Sequence, residues 1–249
     1  MGLLRSAALK FSHWLPDDKR RNVKWSLMIP DAGASLALLR RKGFMPKRTI
    51  DIGAFIGDWT TMLKSVWPES AVLMCEAQDE KKAVLDQVIA RHKDVQLRLG
   101  LLSDVAGREF KFNVRESGSS MYDLLDKHDG QQITLVSTTL SEAVRGTPFE
   151  NPDMVKIDVQ GAELAVMRGG LDVIKRAEVV MLEASLIEEF AGAPLFPEVM
   201  NFMSDLGFAI QDICTIWRNT PSGSVNELDV IFARKDSQLF DPKHYRYQK

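Results

Sequence analysis

Cysteine is scarce in this sequence: Cys75 and Cys214 are the only two in 249 residues, far apart and each inside an apolar run. That leaves no disulfide framework to build, and two buried free thiols in a reducing, cytoplasmic compartment are the expected state. Histidine is nearly as rare. His13, His92, His128 and His244 are scattered, and with unpaired cysteines they give no zinc-ligand spacing. No stretch approaches the ~20 uninterrupted apolar residues of a membrane helix. The opening MGLLRSAALKF is broken by Arg5 and Lys10, which does not suit a secretory leader, and the fit of Met1–Ser6 to a loose acylation pattern is read as chance. Internal repeats and low-complexity tracts are absent too.

What is present is the profile of an ordinary soluble globular protein, 45% apolar and 27% charged. The length permits a well-buried core. Net charge is only −2, yet residues 1–48 carry eleven Lys and Arg against Asp17, Asp18 and Asp31, a net +8 that leaves −10 for the remainder. A solvated helical face accounts for this basic region; weak contact with an anionic surface, or an anionic acceptor, is the functional counterpart.

The apolar pattern predicts alternating strands and helices. GASLALLRRKG (33–43) reads as a helix ending at Gly43, and a strand begins near Arg48. A helix is expected from Thr60 to Val66. AVLMCEA (71–77) is a strand buried on both faces, and a helix over 80–91 should turn Ala83, Val84, Val88 and Ile89 inward. VQLRLGLLS (95–103) is the third strand. The order implies a parallel sheet wrapped by helices. EFKFNV (109–114) and ITLVSTTLSEAV (133–144), the latter a strand leading into a short helix, with a polar loop between them, break the pattern and read as a β-rich insertion over about 107–145. Alternation resumes with MVKIDV (154–159), a helix carrying Leu164, Met167, Leu171 and Ile174, the strand EVVMLEAS (178–185) and a helix over 198–208. FAIQDICTI and ELDVIFARK then close the fold as an antiparallel hairpin. The expected organisation is a helical, basic extension over 1–32, one domain over 33–235, and a tail over 236–249.

The loop in TIDIGAFIGDWT (49–60) is the first functional signal. A dinucleotide fingerprint needs glycines at the first, third and sixth positions, and counting from Gly53 those positions hold Gly53, Phe55 and Asp58. No Gly-Lys-Ser/Thr follows, so a P-loop fails as well. Asp51, just before the turn, would repel a pyrophosphate. S-adenosylmethionine has no phosphate, and its sulfonium and ammonium are positive, so it suits such a loop. Gly53, Ala54, Phe55 and Gly57 would then border the cofactor, with Asp51 supplying charge nearby. Glu76, followed by Ala77, would accept from both ribose hydroxyls. Leu101, Leu102, Ser103 and Asp104 would line the adenine.

These residues resemble the FkbM-type methyltransferases, a family that uses S-adenosylmethionine to methylate oxygen on sugars, polyketides and other natural products. The likeness runs over roughly 35–235 and rests on D-I-G-A-x-x-G (51–57), Glu76 and above all K-I-D-V-Q-G-A-E (156–163), with MLEAS, Leu206-Gly207-Phe208 and DVIFARK in support. It implies a Rossmann-like class I methyltransferase: an α/β fold with a mostly parallel seven-stranded sheet and an antiparallel last strand. Three positions depart from the pattern: Phe55 replaces an asparagine, Ala77 a proline, and Gln160 a glutamate.

Methylating a hydroxyl requires a base within reach of its proton. In open parallel sheets the site lies at the carboxyl ends of the strands. Asp158 is the first candidate as base or acceptor-positioning group, and it also adjoins the cofactor. Glu163 is the second, with a helix-start role as its alternative. Lys156 should point to the opposite side of its strand from Ile157. Ser119, Ser120 and Tyr122, with Glu183 and His128, are candidates for holding the acceptor, a small molecule or glycan bearing a hydroxyl. Asp158, Glu163 and Glu183 offer oxygen ligands suited to Mg²⁺, but no motif demands a divalent metal and none is expected. A nucleotide-cofactor oxidoreductase, and a binding protein that keeps the fold without turnover, are the alternatives. A nucleic-acid acceptor is not expected, because the fourth strand ends in Ile-Asp-Val-Gln rather than the Asn/Asp-Pro-Pro-aromatic step.

Overall fold

The computed structural model describes residues 29–125, 130–219 and 222–245, with Pro16 and Lys19. Nearly all of the expected N-terminal extension, together with His13, His128 and the last four residues, lies outside the described residues.

Asp31 starts the chain's first described helix, α1 (Ala32–Arg41), by accepting from the Ala34 amide at 2.9 Å. Then come β1 (Arg48–Ile52), α2 (Asp58–Val66), β2 (Ala71–Glu76), α3 (Lys82–Arg91) and β3 (Val95–Leu99). The expected third strand is broken at Gly100, which has a φ of +137°, so that Leu101–Leu102 forms a separate β4 in a second sheet. There β4 lies parallel to β6 (Gln131–Thr138), and β5 (Glu109–Val114) pairs with β6 antiparallel.

The chain returns to the main sheet through α4 (Leu140–Val144) and β7 (Met154–Ile157), then α5 (Glu163–Arg168), α6 (Leu171–Ile174), β8 (Val179–Ser185) and α7 (Phe196–Asp205). The helix expected within 161–177 is two, because Gly169 and Gly170 interrupt it. A Cβ on Gly169 would sit 2.1 Å from the Ser103 carbonyl oxygen, so that backbone approach admits only glycine. The closing hairpin is β9 (Phe208–Arg218) and β10 (Val225–Arg234). The seven strands lie in the order β3-β2-β1-β7-β8-β10-β9, with β10 antiparallel to both neighbours.

Alternation along the buried strands feeds two cores, one on each sheet face. Ile50, Ile52, Val155, Ile157 and Leu182 pack towards Leu164, Met167 and Phe208 on one side. Val72, Met74 and Met181 pack towards Leu36, Leu63 and Leu85 on the other. In α3 the buried positions are Leu85 and Val88, whereas Ala83 is exposed. Val84 and Ile89 are half-buried and pack against the same core, so of the four positions expected inward only Ala83, in the first turn after the 3-10 turn at Asp79–Lys81, faces solvent. Among the described residues no helix is long and apolar enough to cross a membrane.

Candidate active site

The turn after β1 is held from both neighbouring strands. Gly53 and Ala54 donate their amides to the Cys75 carbonyl at 3.0 and 3.1 Å, and the Lys156 ammonium donates to the Gly53 carbonyl at 2.9 Å. Gly53 has a φ of +75°, and a Cβ there would lie 1.8 Å from the Asp158 carbonyl oxygen. Glycine is the residue that both the backbone angle and the space allow.

Beside this turn, Glu76 ends β2 and ties together the loops on either side of it. One carboxylate oxygen accepts from the Phe55 amide at 2.7 Å; the other accepts from the Gln78 amide at 2.9 Å and its side-chain nitrogen at 3.3 Å. Phe55 takes a left-handed φ of +51°, and its ring lies under the Lys81 ammonium at 4.4 Å. The Gln78 side-chain oxygen is buried and has no hydrogen-bond partner.

Lys156 is the hub beneath. It is the cross-strand partner of Asp51 in the β1–β7 register, and its ammonium lies 3.2 Å from that carboxylate and 3.5 Å from Asp158. The pair is deeply buried, with side chains 6% and 0% exposed. Thr60 donates to the second Asp51 oxygen at 2.7 Å. Burial alone would lower the Lys156 pKa, but Asp51 and then Asp158 overcome it and hold the lysine above its ordinary value.

A cavity of about 410 Å³ opens above these loops at the carboxyl ends of the parallel strands. Gly53, Phe55, Glu76, Ala77 and Leu102 border it, as do Gln78, Leu101 and Cys75. Burial pushes the Cys75 thiol up to about 12, which removes it as a nucleophile. Asp158, Gln160 and Glu183 form the next wall, followed by Trp217, Glu227 and Asp229 from the hairpin. Ser117, Ser119 and Met121 reach the cavity from the insertion.

The other expected site residues lie one layer back. Asp51, Ala54, Gly57, Ser103, Ser120, Tyr122 and Glu163 do not line the cavity. Asp51 is committed to Lys156 and Thr60, and Ala54 packs in the core. Gly57 caps α2 with a φ of +80°, and Ser103 is fully buried with its hydroxyl on Asp104. Ser120 donates its hydroxyl to the Gln160 carbonyl at 2.7 Å, docking the insertion on the β7 loop. Ser119 borders the cavity, but its hydroxyl closes its own turn through Arg115. Glu163 starts α5 and accepts from the Val159 and Gly161 amides at 3.0 and 3.2 Å. Burial raises its pKa to about 7 against those stabilising amides.

Three groups stand out that strand-end reasoning did not supply. The Gln160 amide donates to Asp158 at 3.2 Å and to Glu183 at 2.9 Å, from a backbone with a φ of +53°. Glu227 and Asp229, two residues apart on β10, share a face, and the antiparallel register sets Asp229 opposite Glu183. Burial, followed by Asp158, holds Glu183 well above the carboxylate range. Burial, followed by Glu189, raises Glu227 to about 7, and burial raises Asp229 as well. Among the described residues no group of three or more His, Cys, Asp or Glu is arranged to hold a metal ion.

No curated protein matches the chain. Cofactor-bound Rv0187 from MTB superposes with a TM-score of 0.50 at 14% identity, over 94% of this chain and 89% of that one. Precorrin-6y C5,15-methyltransferase from Geobacter metallireducens GS-15 gives a TM-score of 0.48 at 13% identity, over 82% and 87%. A SAM dependent methyltransferase from Aquifex aeolicus gives 0.44 at 12% identity, over 82% and 90%. At 14% identity the first of these speaks to the fold alone. The methyltransferase FkbM domain, by contrast, matches residues 51–210, more than half of the chain, from the Gly53 turn through the Lys156–Glu163 segment into β9. The chain belongs to the FkbM methyltransferase family.

Proposed function

We propose that this chain is an S-adenosylmethionine-dependent O-methyltransferase acting on a hydroxyl of a sugar, glycan or related natural product. The residues present suit the cofactor. Glu76 is anchored by the Phe55 and Gln78 amides and the Gln78 side chain yet keeps an acceptor site for a ribose hydroxyl, and Gln78 brings a buried oxygen without a donor to the same wall. Leu101 and Leu102 give an apolar surface for a base, and a cavity of about 410 Å³ lies in the range of small-molecule sites. Among the described lining residues no Lys or Arg offers a phosphate a partner, as a phosphate-free cofactor requires. When bound, the cofactor supplies a methyl group on a positively charged sulfur.

Asp158 carries the reading. Its side chain is 35% exposed and faces the cavity, while Lys156 and Gln160 hold it from behind at 3.5 and 3.2 Å. It adjoins Gly53 on one side and, through Gln160, Glu183 on the other. From there it takes the proton of an acceptor hydroxyl as the oxygen gains the methyl. A base so placed is worth roughly 10²–10⁴ in rate. Glu183 contacts the acceptor, and Ser117, Ser119 and Met121 of the insertion shield the reaction from water.

Asp158→Asn tests this reading. The variant is expected to bind S-adenosylmethionine in calorimetry with near wild-type affinity. Release of S-adenosylhomocysteine with a panel of hydroxyl acceptors should fall by roughly 10²–10⁴. Undiminished turnover in the variant would remove Asp158 from the chemistry.

A further inference from the structure

The wall of the cavity that runs from Asp158 through Glu183 to the closing hairpin carries charge of one sign. Among the described residues that line it there is no Lys, Arg or His, whereas Asp158, Glu183, Glu227 and Asp229 all do. Lys156 lies beneath and is already shared between Asp51 and Asp158. Gln160 donates to Asp158 and Glu183, and Glu189 adds a further negative group behind Glu227. The supply of positive charge falls short of the acids present.

A second observation is independent of these charges. Trp217 is 55% exposed, lines the same cavity, and is the cross-strand partner of Glu227 in the β9–β10 register. An indole left facing solvent beside a carboxylate offers a cation two complementary contacts, a π face and a charge partner. A phosphorylated or carboxylated acceptor would bring negative charge into a cavity whose lining has no cation for it. A neutral polyol would leave Glu183 and Glu227 to relieve their repulsion by retaining protons.

We infer that the acceptor carries a protonated amine beside the hydroxyl that is methylated, seated between the Trp217 indole and the carboxylates of Glu227 and Asp229. The class is that of amino sugars and aminocyclitols, in place of the anionic acceptor that the basic N-terminal region favours. The proton on the nitrogen occupies its lone pair, so the methyl goes to oxygen and the hydroxyl proton to Asp158. This assignment rests on the methyltransferase reading of the same cavity.

The experiment is a calorimetric titration of the full chain saturated with S-adenosylhomocysteine. Three probes share one ring: D-glucosamine, N-acetyl-D-glucosamine and D-glucose 6-phosphate. Glucosamine is expected to bind about tenfold or more tightly than its N-acetyl form, the usual scale for a charge-assisted hydrogen bond, and the phosphate to give no binding heat. Glu227→Gln and Asp229→Asn, both near-isosteric, should each bring the amine to N-acetyl ratio towards one without changing S-adenosylhomocysteine affinity. Absence of glucosamine binding, equal binding of the amine and N-acetyl forms, tighter binding of the phosphate, or a ratio unmoved in both variants overturns the inference. If S-adenosylhomocysteine itself fails to bind, the cofactor reading falls instead, and the two failures are told apart in the first titration.

Discussion

Removing Lys156 should cost the fold more than any exposed charge could. Lys156→Met keeps the length of the side chain but leaves Asp51, fully buried, with Thr60 as its remaining side-chain partner. Breaking a buried pair by deleting one member costs about 3–5 kcal/mol, because the surviving charge is stranded in low dielectric. For a chain of this size each kcal/mol lowers Tm by about 2–4 °C, so a drop of roughly 6–20 °C is expected by calorimetry or circular dichroism. Adding Asp51→Asn to the same chain removes the stranded charge while keeping an acceptor for Thr60, and most of the lost stability should return. Cofactor affinity should not return with it, since the Gly53 carbonyl still lacks the ammonium that donates to it at 2.9 Å. A Tm within about 2 °C of wild type in Lys156→Met, or additive losses in the double variant, would refute the role given to this pair.

Other variants probe the neighbouring contacts. Gly53→Ala places a Cβ 1.8 Å from the Asp158 carbonyl oxygen at a φ of +75°, so calorimetry should show S-adenosylmethionine binding abolished. Gln160→Glu replaces a donor to two carboxylates by a third acid, and methyl transfer should fall at least roughly tenfold, with the loss eased as pH is lowered. Retention of wild-type activity at pH 8 would contradict this account. Glu163→Gln addresses stability against pH. An acid raised to about 7 in the fold binds more protons folded than unfolded, so its contribution is fully present below about 4.5 and is lost as pH rises through 7. The amide still accepts from Val159 and Gly161 but does not titrate, so urea midpoints of the variant should change less between pH 5 and 8 than those of wild type.

Much of the architecture was readable because strands buried on both faces leave continuous apolar runs, as Ala71–Glu76 does, and because a short polar gap before Val225 forbids a helical crossover. The break at Gly100 was not readable: one glycine within VQLRLGLLS is compatible with an unbroken strand, and its φ of +137° is a property of the folded chain. The inward face of α3 was readable from its spacing for Val84, Val88 and Ile89, and only Ala83, in the first turn of the helix, is exposed. Within the site, Gly53 and Glu76 showed themselves as a turn and a strand-end acid. Asp51 carried the same kind of signal, yet alternation along β1 sends it to the opposite sheet face from Ile50 and Ile52, beneath the loop and towards α2. Glu227 and Asp229 read only as the polar face of an ordinary strand. Their meeting with Glu183 depends on the β8–β10 register, a tertiary fact that local pattern does not carry.

The departure at Gln160 is explained by the company it keeps. A carboxylate there would have no hydrogen to offer Asp158 or Glu183, turning two hydrogen bonds into two repulsions inside a wall that already holds Glu227 and Asp229. Lys156 cannot compensate, because its ammonium is divided among Asp51, Asp158 and the Gly53 carbonyl. A neutral amide supplies the donor without adding charge of either sign, and so leaves the negative field of the cavity free to act on whatever enters. The same residue's carbonyl receives the Ser120 hydroxyl, so the left-handed backbone at position 160 serves two ends: it turns the amide onto the acids and the carbonyl towards the insertion. Lys156 from below and Gln160 from the side thereby orient one carboxylate, Asp158, by two contacts of different kinds. A change at either should misplace that carboxylate without removing it, which separates a loss of positioning from a loss of the carboxylate proposed as the base.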